Sequence, residues 1–118
     1  MSDRLKRVEE AIREEVAGIL QRELKDPRIG FVTITRVQVS ADLQHATVYF
    51  SMLESGKKAA ETEAGLKSAQ GFVRKLLGER LRIRVTPEVN FRMDSSSEES
   101  IRISKLLGDL RKEGSSSE

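Results

Sequence analysis

A chain of 118 residues, 37% apolar and 34% charged, is long enough for one domain with a sizeable core and too short for two of ordinary size. It has no cysteine, which excludes disulfides, thiolate metal sites and a cysteine nucleophile. The net charge is only +2, but residues 67–92 carry seven basic side chains against two acidic ones, whereas residues 1–30 carry seven of each.

Residues 4–24 are predicted to form an amphipathic helix. Leu5, Val8, Ile12, Val16, Ile19, Leu20 and Leu24 recur at three- and four-residue steps and so share one face. Ser2 or Asp3 can cap its start. Asp26-Pro27 ends the segment, because a residue before proline avoids helical backbone angles. The period then changes to two. Gly30 to Ser40 is rich in β-branched residues and reads as a strand. Val32 and Ile34 share one face and Val37 and Val39 the other. The strand is therefore either buried on both sides or bulged near Thr35–Arg36. Ala41 to Gln44 makes a short connection to His45–Met52, a clean strand with Ala46, Val48, Phe50 and Met52 inward. So short a link predicts an antiparallel pair.

A second helical region spans about Lys57 to Leu81, with Leu66, Ala69, Val73, Leu76 and Leu77 as its buried stripe. Ala64-Gly65, Ser68-Ala69 and Gly71 interrupt it with small residues. A glycine inside a helix costs about 1 kcal/mol relative to alanine, so the run predicts a kink at Ser68, Ala69 and Gly71 and two consecutive helices. Val85 to Met93 alternates as a third strand. Pro87 has no N–H for a ladder, so this strand is expected at an edge or with that position unpaired. Asp94 to Ser97 reads as a turn and cap, residues 98–112 as a weaker helix, and residues 113–118 as a disordered tail. Residues 1–112 are thus expected to form one domain. No stretch nears the roughly 18 apolar residues of a membrane span, and the N-terminus lacks a signal-peptide apolar core. A cytoplasmic location is expected.

The order α-β-β-α-α-β with a trailing helix is that of type II KH domains. More specifically, the sequence resembles the ribosome-binding factor A family. The likeness rests on RLKRVEEAIREEVAGIL near the start, KDPRIGFVTIT (Lys25–Thr35), VQVSADLQHATVYFS (Val37–Ser51), SAQGFVRKLLGERLRIRVTPEVNFRMDSS (Ser68–Ser96) and ISKLL near the end. It covers roughly residues 3–110. The resemblance implies an α+β, KH-like RNA-binding fold, with the kinked helix pair on one face of a three-stranded sheet and a C-terminal helix. It implies binding to the small ribosomal subunit and its ribosomal RNA, help with late maturation and rRNA processing, and support of growth in the cold. It also implies a monomer, with an assembly GTPase as a releasing partner, and neither cofactor nor catalysis. KH domains clamp single strands with a GXXG loop. Here that place reads Ser68-Ala69-Gln70-Gly71, which points instead to recognition of folded RNA by shape and phosphate contacts.

The candidate RNA-binding residues are Lys67, Gly71, Arg74, Lys75, Arg80, Arg82 and Arg84. On a helix continued past the kink, the first four lie opposite the apolar stripe. A glycine amid cations lets a phosphate backbone come close. The plainer reading is a solvated charged face, and the alternative function is a protein-interaction module with a basic face. Other features have plain readings. His45 is a lone histidine at a strand start and a poor metal site. Tyr49 could stack on a base from the outer sheet face, but cross-strand packing suits it better. Glu9, Glu10, Glu14 and Glu15 alternate with arginines as surface pairs rather than acid–base catalysts. A metal-dependent nuclease would need carboxylates that gather; these are scattered.

Overall fold

The apolar stripe of the first segment folds as helix α1, Asp3–Arg22, in a computed structural model that describes residues 3–94. Ile12, Val16 and Ile19 on that stripe are fully buried. Beyond the last regular turn the Leu24 N–H still reaches the Ile19 carbonyl, at 3.0 Å. The chain then reverses at Pro27, where an Asp26 carboxylate oxygen accepts the Arg28 N–H at 2.9 Å. The Arg28 guanidinium holds the Asp26 carboxyl below its usual range, through side-chain and then backbone hydrogen bonds.

Strands β1 (Val32–Val39) and β2 (His45–Met52) are antiparallel. Leu43 takes the turn between them with φ of 62°. Ile34 faces Phe50 and Arg36 faces Tyr49, which leaves Thr35 as an extra residue. Of the two sequence readings of β1, the bulge is therefore the one that holds. It lets Ile34, Val37 and Val39 all point into the core despite their mixed parity.

Helix α2 covers Gly56–Ser68 and helix α3 Gln70–Arg80. The break falls at Ala69, inside the predicted interval. The Ala69 N–H is shared between the carbonyls of Gly65 and Leu66 (3.1 and 3.0 Å), so the junction is a tight bend rather than a loop. Leu66, Ala69, Val73 and Leu77 continue one buried stripe across it. Full burial of each of the larger side chains contributes roughly 1.5–3 kcal/mol.

Strand β3, Glu88–Met93, runs parallel to β2 and lies at the edge of a sheet ordered β1-β2-β3. It starts three residues later than the alternation from Val85 suggests. Pro87 is buried but has no N–H, and the bond from Glu88 N–H to the Gln44 carbonyl (2.8 Å) is where pairing begins. Phe91 meets Phe50 edge to face, at 6.4 Å between ring centroids. All three helices contribute to one core against the inward side of the sheet. The predicted helix over 98–112 and the tail after it lie outside the described residues. Among the described residues no helix is long and apolar enough to cross a membrane.

Candidate nucleic-acid interface

Helix α3 buries Val73 and Leu77 and turns Gly71, Arg74, Lys75 and Gly78 outward. These four residues and Thr86 line a shallow groove between α3 and the segment leading into β3. A Cβ built on Gly71 would meet nothing within 4 Å. No neighbour within the described fold therefore demands a glycine there, although one costs helix stability. Its effect is an indentation flanked by cations. Arg74 is fixed across the groove, donating from Nε and Nη2 to the Thr86 carbonyl at 3.3 and 3.0 Å. A carbonyl does not neutralise it, and the guanidinium has five N–H donors in all.

The remaining basic residues divide. Arg82 and Arg84 are exposed in the α3–β3 connection, and Lys75 is exposed on α3. None of the three has an ion-pair partner among the described residues. Arg80 differs. Its guanidinium bonds the carboxylate of Glu23, just past the end of α1, and lies 3.9 Å from Glu15 within α1. The hydrogen bond lowers the Glu23 pKa and raises that of Arg80. This cation holds two helices together. Lys67 is separated from Gly71–Lys75 by the bend at Ala69. It lines a second groove, of about 450 Å³, along the free edge of β3 with Gln70, Asn90, Phe91 and Arg92. There Gln70 Oε1 accepts the outward-facing Phe91 N–H at 3.0 Å, so the bend residue covers an exposed strand edge.

The family model for ribosome-binding factor A matches residues 4–107. A Halothermothrix orenii ribosome-binding factor A is 46% identical over 110 residues, 93% of this chain and 90% of that one. The chain belongs to the ribosome-binding factor A family. A solution structure of a Thermotoga maritima protein assigned to this family superposes with a TM-score of 0.67 at 37% identity, covering 75% of this chain and 85% of that one. A homology model of Thermus thermophilus ribosome-binding factor A, fitted into a cryo-EM map of a complex with the 30S subunit, gives a TM-score of 0.56 at 25% identity. It covers 78% of this chain and 92% of that one.

Sequence reasoning left Gln70, Asn90 and Arg92 out of the candidate RNA-binding residues. Arg92 is one of the seven cations counted over residues 67–92, and Asn90 and Arg92 alternate with the inward residues of β3. The pairing of Arg80 with α1 left no local signal, because its partners are 57 and 65 positions away. Among the described residues no three His, Asp or Glu side chains come together as a metal site. What the surface offers is positive charge, an indentation and hydrogen-bond donors. Those suit holding phosphates.

Proposed function

We propose that this protein binds the small ribosomal subunit through its ribosomal RNA during late maturation and performs no covalent chemistry. The observation that carries the reading is the unfilled indentation at Gly71 between Arg74 and Lys75, in a family whose Thermus thermophilus member has been fitted into a 30S complex. Phosphates would approach at Gly71 and be held by Arg74, Lys75, Arg82 and Arg84, with Lys67 extending the surface at the β3 edge. Recognition is by shape and charge, since no GXXG clamp is present. Binding favours whichever RNA fold it fits best, which is how such a factor promotes maturation and rRNA processing without catalysis. Support of growth in the cold follows if misfolded RNA persists longer at low temperature. In this reading residues 1–112 form one KH-like RNA-binding unit that acts as a cytoplasmic monomer and leaves with the help of an assembly GTPase. Crosslinking in cells followed by sequencing of the attached RNA tests it. Small-subunit ribosomal RNA should dominate the crosslinks; scattered messenger RNA, or no RNA at all, would contradict it.

A further inference from the structure

The bulge in β1 has an effect on the side of the sheet away from the helices. With strict alternation from Ile34, Arg36 would point into the core; the extra residue Thr35 returns it to the outer face, opposite Tyr49. Its guanidinium carbon sits 3.9 Å from the centroid of the Tyr49 ring. The Tyr49 hydroxyl donates to Gln38 Oε1 at 3.3 Å, which steadies the ring beneath. On the other side of Tyr49 the register places Arg92. Three strands thus present the row Arg36–Tyr49–Arg92, two strand spacings or roughly 10 Å from end to end.

Both arginines are exposed, and neither has an ion-pair partner among the described residues. Asp94 is buried and accepts from the Thr35 hydroxyl, and Glu88 lies at the far end of β3 opposite His45. Glu9 and Glu10 of α1 share a groove with Arg36, but Glu9 accepts the Val39 N–H at 2.9 Å and Glu10 pairs with Arg13. Glu63 shares the β3-edge groove with Arg92. Around the row stand Gln38, Thr47 and Asn90, polar and uncharged. A protein partner would ordinarily meet apolar anchors at the centre of its patch. Here the exposed apolar residues Phe31 and Leu53 lie beyond the ends of the paired strands.

We infer that the outer face of the sheet is a second RNA contact, which holds one unpaired nucleotide. Its base stacks on the Arg36 guanidinium, kept flat by Tyr49, and its phosphate meets Arg92. Arginine planes stack bases much as aromatic rings do. Arg92 also lines the groove at the β3 edge, where two cations, Arg92 and Lys67, stand with one carboxylate, Glu63, and so links the outer face to the helix side. The inference rests on the RNA-binding reading above, but it concerns different residues.

The test measures binding of the full chain to purified small subunits and to a ten-nucleotide oligoadenylate across a salt series. Arg36→Gln combined with Arg92→Gln should weaken both by about five- to hundredfold. It should also flatten the log-affinity against log-salt slope by roughly 0.7–1 unit, for the one phosphate contact at Arg92. Arg36→Lys keeps the charge and loses the plane, so it should preserve the slope and still lose affinity for the oligoadenylate. Wild-type affinity in Arg36→Lys would overturn the stacking. Unchanged binding in the double variant, alongside weakened binding when α3 cations are replaced, would sink this site and leave the proposed function standing. Loss on subunits alone, with the oligoadenylate unaffected, would put a ribosomal protein on this face and overturn the inference. A wild-type protein that binds neither ligand in a salt-dependent way would remove both readings. Melting curves of each variant confirm that a folded protein is being compared.

Discussion

Gly65 in α2 and Gly71 in α3 stand six residues apart in one run of small residues, yet they answer to different demands. A Cβ on Gly65 would come within 2.7 Å of Ile29, because the 26–30 turn docks directly on α2 there. Thr62, one helical turn earlier, completes the docking. It is fully buried, accepts the Gly30 N–H at 3.2 Å and donates to the Arg28 carbonyl at 3.3 Å. At Gly71 a Cβ would meet only open space. The first glycine is required by the fold, while the second weakens the helix with no internal return. What a missing side chain is for is decided by its neighbours, not by its residue type.

Substitutions can break or sharpen this contrast. Gly65→Leu should have the largest effect on stability. Overpacking against Ile29 costs about 1–3 kcal/mol, and a loss near 2 kcal/mol lowers Tm by roughly 10 °C in a domain of this size. Its subunit binding should fall only as far as unfolding dictates. Thr62→Val comes next, since it removes the partner of the partly buried Gly30 N–H and Arg28 carbonyl at a cost of about 1–2 kcal/mol, readable in denaturant melts. Gly71→Leu should separate the two properties. Its Tm should hold or rise, by up to ~1 kcal/mol of helix propensity, while subunit affinity falls about tenfold. Equal losses of stability and affinity at Gly71 would erase the contrast.

The smallest effect concerns Arg80. Arg80→Gln should lower stability modestly at neutral pH by releasing Glu23. The Glu23 pKa is depressed in the fold, so the folded protein binds fewer protons there than the unfolded chain. The contribution is therefore complete above the ordinary glutamate range and is lost as pH falls through the depressed value. Melting curves of wild type and Arg80→Gln should differ at neutral pH and converge in acid. A gap that persists in acid would assign Arg80 a packing role instead.

Local signals carried the elements well. Mixed parity in β1 announced the bulge, small residues announced the bend at Ala69, and His45–Met52 emerged with the bounds its alternation gives. β3 began late because alternation from Val85 does not register that proline lacks a ladder donor. Within the candidate site, exposure of Arg74, Lys75, Arg82 and Arg84 followed from their place outside the apolar stripe. The commitment of Arg80 to α1 and the turning of Lys67 toward the β3 edge did not. Both depend on how helices 50 or more residues apart, or on either side of a bend, come to lie together.

The central claim is that RNA is held by the face around Gly71 and not by charge in general. Two variants with the same loss of charge test it most directly. One replaces Arg74, Lys75, Arg82 and Arg84 by glutamine; the other replaces Arg4, Arg7, Arg13 and Arg22 on α1. Subunit affinity is then measured across a salt series. The account predicts that the first variant flattens the log-affinity against log-salt slope by about 3 units, each lost phosphate contact removing roughly 0.7–1, while the second leaves it nearly unchanged. A steep slope surviving in the first variant and lost in the second would contradict it.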